Sequence, residues 1–89
     1  MRAIITVVGK DKIGIIAGIT SVLSKHKVNV LDISQTILQE YFTMIMLVDL
    51  SRMEISLAEL KQKLEEEGSN LGVSVRIQHE EIFQSMHRI

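Results

Sequence analysis

The sequence predicts an α+β domain in which a four-stranded antiparallel sheet carries two helices on one face. Three observations predict it. Ile and Val account for 13 and 8 of the 89 residues, and β-branched side chains pack well on a pleated surface. The apolar positions change period along the chain, from strand-like runs to a 3.6-residue repeat and back, twice. The segments so marked follow in the order β-α-β-β-α-β, and right-handed crossovers then put both helices on the same side.

Taken in order, residues 3–8 (AIITVV) form a short β-branched run bounded by Gly9, as expected of a central strand buried on both faces. From Ile13 to His26 the period becomes helical, with Ile15, Ile16, Ile19, Val22 and Leu23 on one face. Residues 28–38 return to alternation. Leu31, Ile33 and Ile37 are expected on a dry face and Asp32, Ser34 and Thr36 on the other. Residues 41–50 are denser in apolar side chains and read as a second central strand. Only Gln39 and Glu40 separate these two strands, so an antiparallel hairpin is predicted, without the Gly or Asn that primed turns prefer.

Ser56 and Glu59 have the spacing of a capping box, and Leu57, Leu60 and Leu64 make the apolar stripe of a second helix. Gly68 is the expected stop. Residues 72–79 alternate, with Val73, Val75 and Ile77 inward, and the tail is expected to add a short helical extension bearing Ile82, Phe83 and Met86. This is the ferredoxin-like arrangement. At 10.1 kDa the chain has room for one such domain over 1–89, with the extension from about residue 80.

Composition and charge exclude several function classes. A 46% hydrophobic content is too high for a disordered chain, and five Gly with no Pro exclude collagen-like sequence. Ten Lys and Arg against eleven Asp and Glu leave no basic excess for nucleic acid. With no Cys there is no disulfide, no thiolate metal site and no Cys nucleophile. No apolar stretch approaches the length of a membrane span, and the N-terminal segment lacks a signal-peptide cleavage pattern, so a cytoplasmic location is expected. An RNA-recognition sheet needs stacking aromatics on its central strands. Here Tyr41 and Phe42 are adjacent and must point to opposite faces. His26, His79 and His87 lie far in sequence from the first loop, and no base, nucleophile and orienter converge. Met44 and Met46 are two apart and read as core filler alongside Phe42 and Val48, not as a soft metal site. Neither a metal site, a cofactor nor a catalytic activity is expected.

The distinctive segments are residues 7–19, VVGKDKIGIIAGI, and residues 27–34, KVNVLDIS. A helix N-terminus presents unpaired N–H groups and a positive dipole end, which suits a carboxylate. Gly14 allows close approach of a ligand or a neighbouring backbone. Asp11 can cap the helix or accept from an ammonium group, and Asn29 offers both a donor and an acceptor. Each has a plainer reading as well: Asp11 as an N-cap, Gly14 as a packing contact, Asn29 as a turn residue.

In these two segments the chain resembles the ACT domain, the small-ligand regulatory module of amino-acid metabolism, and most of all its short stand-alone bacterial members. Asp11-Lys12-Ile13-Gly14-Ile15 fits the family's loop from first strand to helix, and Asn29-Val30 fits the pair that opens its second strand. The resemblance implies a non-catalytic module that binds an amino acid at a homodimer interface through Asp11, Lys12, Ile13, Gly14, Asn29 and Asp32. In serine-sensing members a His commonly stands at the position of Gly9 and a Pro at that of Ile13, so a serine specificity does not carry over. The alternative is a dimeric module that docks a partner protein and senses no ligand. A dimer is also expected on physical grounds, because Ile4, Thr6, Val8, Thr43, Ile45 and Leu47 occupy the sheet face that the helices leave open. The second strand, as a sheet edge, offers another pairing surface.

Overall fold

The computed structural model describes residues 1–10 and 13–81. Its elements are β1 (Arg2–Lys10), α1 (Ile15–Lys25), β2 (Asn29–Leu38), β3 (Tyr41–Asp49), α2 (Leu57–Leu71) and β4 (Val73–His79). The strands lie in the order β2-β3-β1-β4 with every neighbouring pair antiparallel, the predicted ferredoxin-like βαββαβ sheet. Glu80 and Glu81 begin a further helical turn; the rest of the expected extension, with Ile82, Phe83 and Met86, lies outside the described residues.

The core forms where the two helices meet one sheet face. Ile15, Ile19 and Leu23 of α1 and Leu60 and Leu64 of α2 are buried against Ile5, Val7, Phe42, Met44, Met46, Val48 and Val75. The spacing of four along each helix keeps these side chains in one stripe. Met44 and Met46 are completely buried, as expected of core filler. Phe42 and Tyr41 do point to opposite faces: Phe42 is 3% exposed and Tyr41 51%.

Among the described residues the helices cover one side of the sheet, and on the other side Ile4 is still buried. Val8 is 44% and Ile45 38% exposed, so β1 is buried on both faces at Ile4, as its composition suggested, but not toward Val8. The reason is topological, since both helices pack on one side. The dry face expected of β2 is absent as well. Leu31, Ile33 and Ile37 are all exposed. Register puts Val30, Ile33, Gln35 and Ile37 opposite Val48, Met46, Met44 and Phe42, hence on the helix side. A bulge between Val30 and Asp32 takes Leu31 out of that row. Because β2 is the sheet edge, its row extends past the cover that the helices provide.

Both helix ends of α2 have a physical cause. At its start the Glu59 N–H donates to Ser56 Oγ at 3.1 Å, and the Ser56 hydroxyl donates to Glu59 Oε1 at 3.3 Å, so the cap forms without the return bond to the Ser56 N–H. The helix does not stop at Gly68. It continues to Leu71 and closes on Gly72, whose φ of 74° is left-handed. Gly68 is instead a buried point of close approach, where a Cβ would stand 2.9 Å from the Val73 carbonyl oxygen. Between β2 and β3, Gln39 takes the left-handed conformation at φ 57°, in the place where Asn or Gly was missing from the turn.

Candidate functional site

Among the described residues no side chain caps the start of α1. Its N-cap is Gly14 at φ 93°, and among the described residues no side chain bonds to the first turn, which also holds no acidic residue. The Ile15, Ile16 and Ala17 N–H groups precede the first intrahelical donor, Gly18, which bonds to the Gly14 carbonyl at 2.8 Å. Gly14 is needed here for its backbone. Among the described residues nothing comes within 4 Å of the position a Cβ would take, so packing within the chain does not require it. A left-handed φ does, because an L side chain is strained there. Ile13, next to Gly14, is fully exposed, and Asp11 and Lys12 lie outside the described residues.

Asn29 and Asp32 are at the other end of the molecule. Asn29 opens β2 and pairs with Asp49, which pairs with Arg2, whereas Lys10 at the far end of β1 pairs with Tyr41. The eight steps from Arg2 to Lys10 span about 26 Å at roughly 3.3 Å per residue. One chain therefore does not bring the Gly14 loop and Asn29 together. Asp32 is exposed and its carboxylate accepts from the Ile33 N–H at 2.9 Å, which fixes it beside the bulge.

Asn29 borders a cleft of about 740 Å³ between the second half of α1, the start of β2 and the loop after β3. Leu23 and Val28, both buried, line its base, and Thr20, Ser24, Ser51 and Arg52 bring polar groups to it. Lys27 sits at its rim in a left-handed conformation, φ 60°, at a turn tied by the Lys27 N–H to the Ser24 carbonyl and the Val28 N–H to the Leu23 carbonyl. Its ammonium donates to Glu54 Oε1 at 2.6 Å, across to the loop before α2. That hydrogen bond and the attraction behind it raise the Lys27 pKa and lower that of Glu54. Asp49, also on the cleft, is held below the ordinary carboxylate range, first by the Ser51 backbone N–H at 3.0 Å and less by the N-terminus and Arg2. Lys27 and Glu54 are exposed and Asp49 is half-buried, so these shifts describe the local field more than stability.

Sequence reasoning identified Asn29 and missed the rest of the cleft. Ser51 and Arg52 carry no motif, and they join Asn29 only because the β2–β3 ladder ends with Asn29 opposite Asp49. Nothing in the sequence marks Lys27 as left-handed. Among the described residues no three His, Cys, Asp or Glu side chains gather to hold a metal ion, and no helix is long and apolar enough to cross a membrane.

Over residues 2–78 the chain matches the ACT domain family. It is 62% identical over 89 residues to a UPF0237 protein of Clostridium acetobutylicum, covering 100% of both chains. It is 50% identical over 88 residues to a UPF0237 protein of Methanopyrus kandleri, covering 99% of this chain and 98% of the other. Among solved structures it is similar to an ACT domain protein from Streptococcus pneumoniae, with a TM-score of 0.82 and 45% identity over 94% of each chain.

Proposed function

The chain belongs to the ACT-domain family, and from that premise we propose that it is a non-catalytic regulatory module binding an amino acid at a site shared by two copies of itself. The observation that carries this reading is the separation of the two candidate segments. A helix N-terminus that no described residue caps or covers lies at one end of the chain, and Asn29 with its polar cleft lies at the other. Antiparallel pairing of β2 with its symmetry mate brings the two ends to the same level across the interface. A two-fold axis through the middle of β2 sets Asn29 beside the mate's Leu38, which is level with the mate's Lys10 and so with its Gly14 loop.

In that arrangement the helix N–H groups of one chain, with its Lys12 and Ile13 beside them, receive the ligand carboxylate, while Asn29 and Asp32 of the other, with the first chain's Asp11, hold the ammonium group. The same pairing satisfies the open backbone groups along the β2 edge. It also brings the mate's α1 toward Ile33 and Ile37, which are solvent-exposed in a single chain.

Thermal unfolding in the presence of each of the twenty amino acids is the direct test. A ligand at a hundred times its Kd adds about 2.7 kcal/mol of stability. At least one amino acid is expected to raise Tm, and Asn29→Ala to weaken its binding by about 1 to 3 kcal/mol. A flat response to all twenty, with a protein partner captured by the same dimer, moves the assignment to a docking module without a ligand.

A further inference from the structure

The composite site accounts for the carboxylate and ammonium of an amino acid and leaves the cleft behind Asn29 for the side chain. Resting on that reading, we infer that the ligand carries a second carboxylate, so that it is a dicarboxylic amino acid, and that Arg52 binds this group. The argument is one of chemistry and charge. Ser24, Ser51 and Arg52 line the cleft above its apolar base. An aliphatic ligand side chain placed there removes hydroxyls and a guanidinium from water and returns no hydrogen bond to them, which is unfavourable. A ligand of the size of alanine leaves most of the cleft to solvent.

The charges around the cleft decide between the polar candidates. Among the described residues the ion pairs are Lys27–Glu54, at 2.6 Å, and Arg2–Glu80, also at 2.6 Å. Lys27 is therefore already neutralised. Asp49 is held as a carboxylate by the Ser51 N–H, and the positive charges acting on it are the N-terminus and Arg2 rather than Arg52. Arg52 has no carboxylate partner among the described residues, and it is the cation left to meet a ligand. A lysine-like side chain is repelled by it. A carboxylate is matched to it, because the guanidinium fork offers two parallel donors to two oxygens, and Ser24 and Ser51 have hydroxyls to donate as well. Arg52 is far in sequence from both segments of the composite site, so its presence there is a property of the fold.

Calorimetric titration of the wild-type dimer with L-aspartate, L-glutamate, L-serine and L-leucine, at constant ionic strength, tests the inference. One of the two acidic amino acids is expected to bind at least about tenfold more tightly than serine or leucine, since hydrogen bonds to a charged group contribute about 1.5 to 3 kcal/mol. Arg52→Met should weaken binding of the acid by a similar factor and Arg52→Lys by less, since Lys keeps the charge but not the fork. Lys61→Met, an exposed cation on α2, should leave it unchanged. Equal or tighter binding of a neutral amino acid, or unaltered binding of the acid by Arg52→Met, overturns the second carboxylate while the shared site stands. Silence with all four, and with the remaining sixteen by thermal shift, overturns the shared site itself.

Discussion

Phe42→Ala is expected to lower the free energy of unfolding by about 3 to 5 kcal/mol, the range for removing a buried aromatic side chain. Domains of this size have only about 5 to 15 kcal/mol in total, so the variant is marginal at room temperature. Phe42 is 3% exposed and packs with the helix-side residues of β1 and β3, where a cavity cannot collapse because the sheet fixes its neighbours. Tyr41→Ala, one residue earlier, is expected to change stability by no more than about 0.5 to 1 kcal/mol, because the Tyr41 ring lies on the open side of the hairpin. Urea unfolding of the two variants measures the contrast. Similar losses in both would contradict the assignment of the dry face. The same contrast explains why this sheet is no platform for stacked bases: one aromatic is committed to the core.

Ile33→Lys combined with Ile37→Lys is expected to convert the proposed dimer into a monomer of 10.1 kDa at tens of micromolar, with unfolding still cooperative. Ile33 is 37% and Ile37 58% exposed in the single chain, so their replacement costs the isolated fold little. In the side-by-side dimer both are covered, and two lysines on an edge strand are an established obstacle to strand pairing. The double variant should also lose the thermal response to amino acids, since half of each site belongs to the other chain. Sedimentation velocity reads the mass. A double variant that remains a dimer would move the interface to the open sheet face, where Val8 and Ile45 are exposed.

Most of the fold was legible because the period of the apolar residues is a local property. Strand alternation and the 3.6-residue stripe place every element, and Ser56 with Glu59 marks the start of α2 within a residue. What was not legible depends on which element lies over which. The row of Ile33 and Ile37 alternates like a buried one, yet β2 is the edge and the helices end short of it. Gly68 has the composition of a stop, but its small size serves the contact of α2 with β4. At the candidate site the loop motif and Asn29 are sequence signals. Their position at opposite ends of one chain is read only from the strand ladder, and in the proposed reading each chain then supplies half of a site of the kind expected between two copies. Arg52 escapes sequence reading for the same reason, because a loop residue acquires its neighbours only when the ladder closes.

The claim that one chain holds half a site is tested most directly by mixing two defective chains. Asp11→Ala and Asn29→Ala alter opposite halves, and each alone is expected to bind the amino acid that raises the wild-type Tm most with an affinity lower by about 1 to 3 kcal/mol. After unfolding together at equal concentration and refolding, random pairing makes half of all dimers mixed, and each mixed dimer has one intact site of its two. Calorimetry should then recover wild-type affinity at about a quarter of the wild-type stoichiometry. A mixture that binds only as weakly as its components would contradict the shared site, because a pocket built within one chain is damaged in every copy.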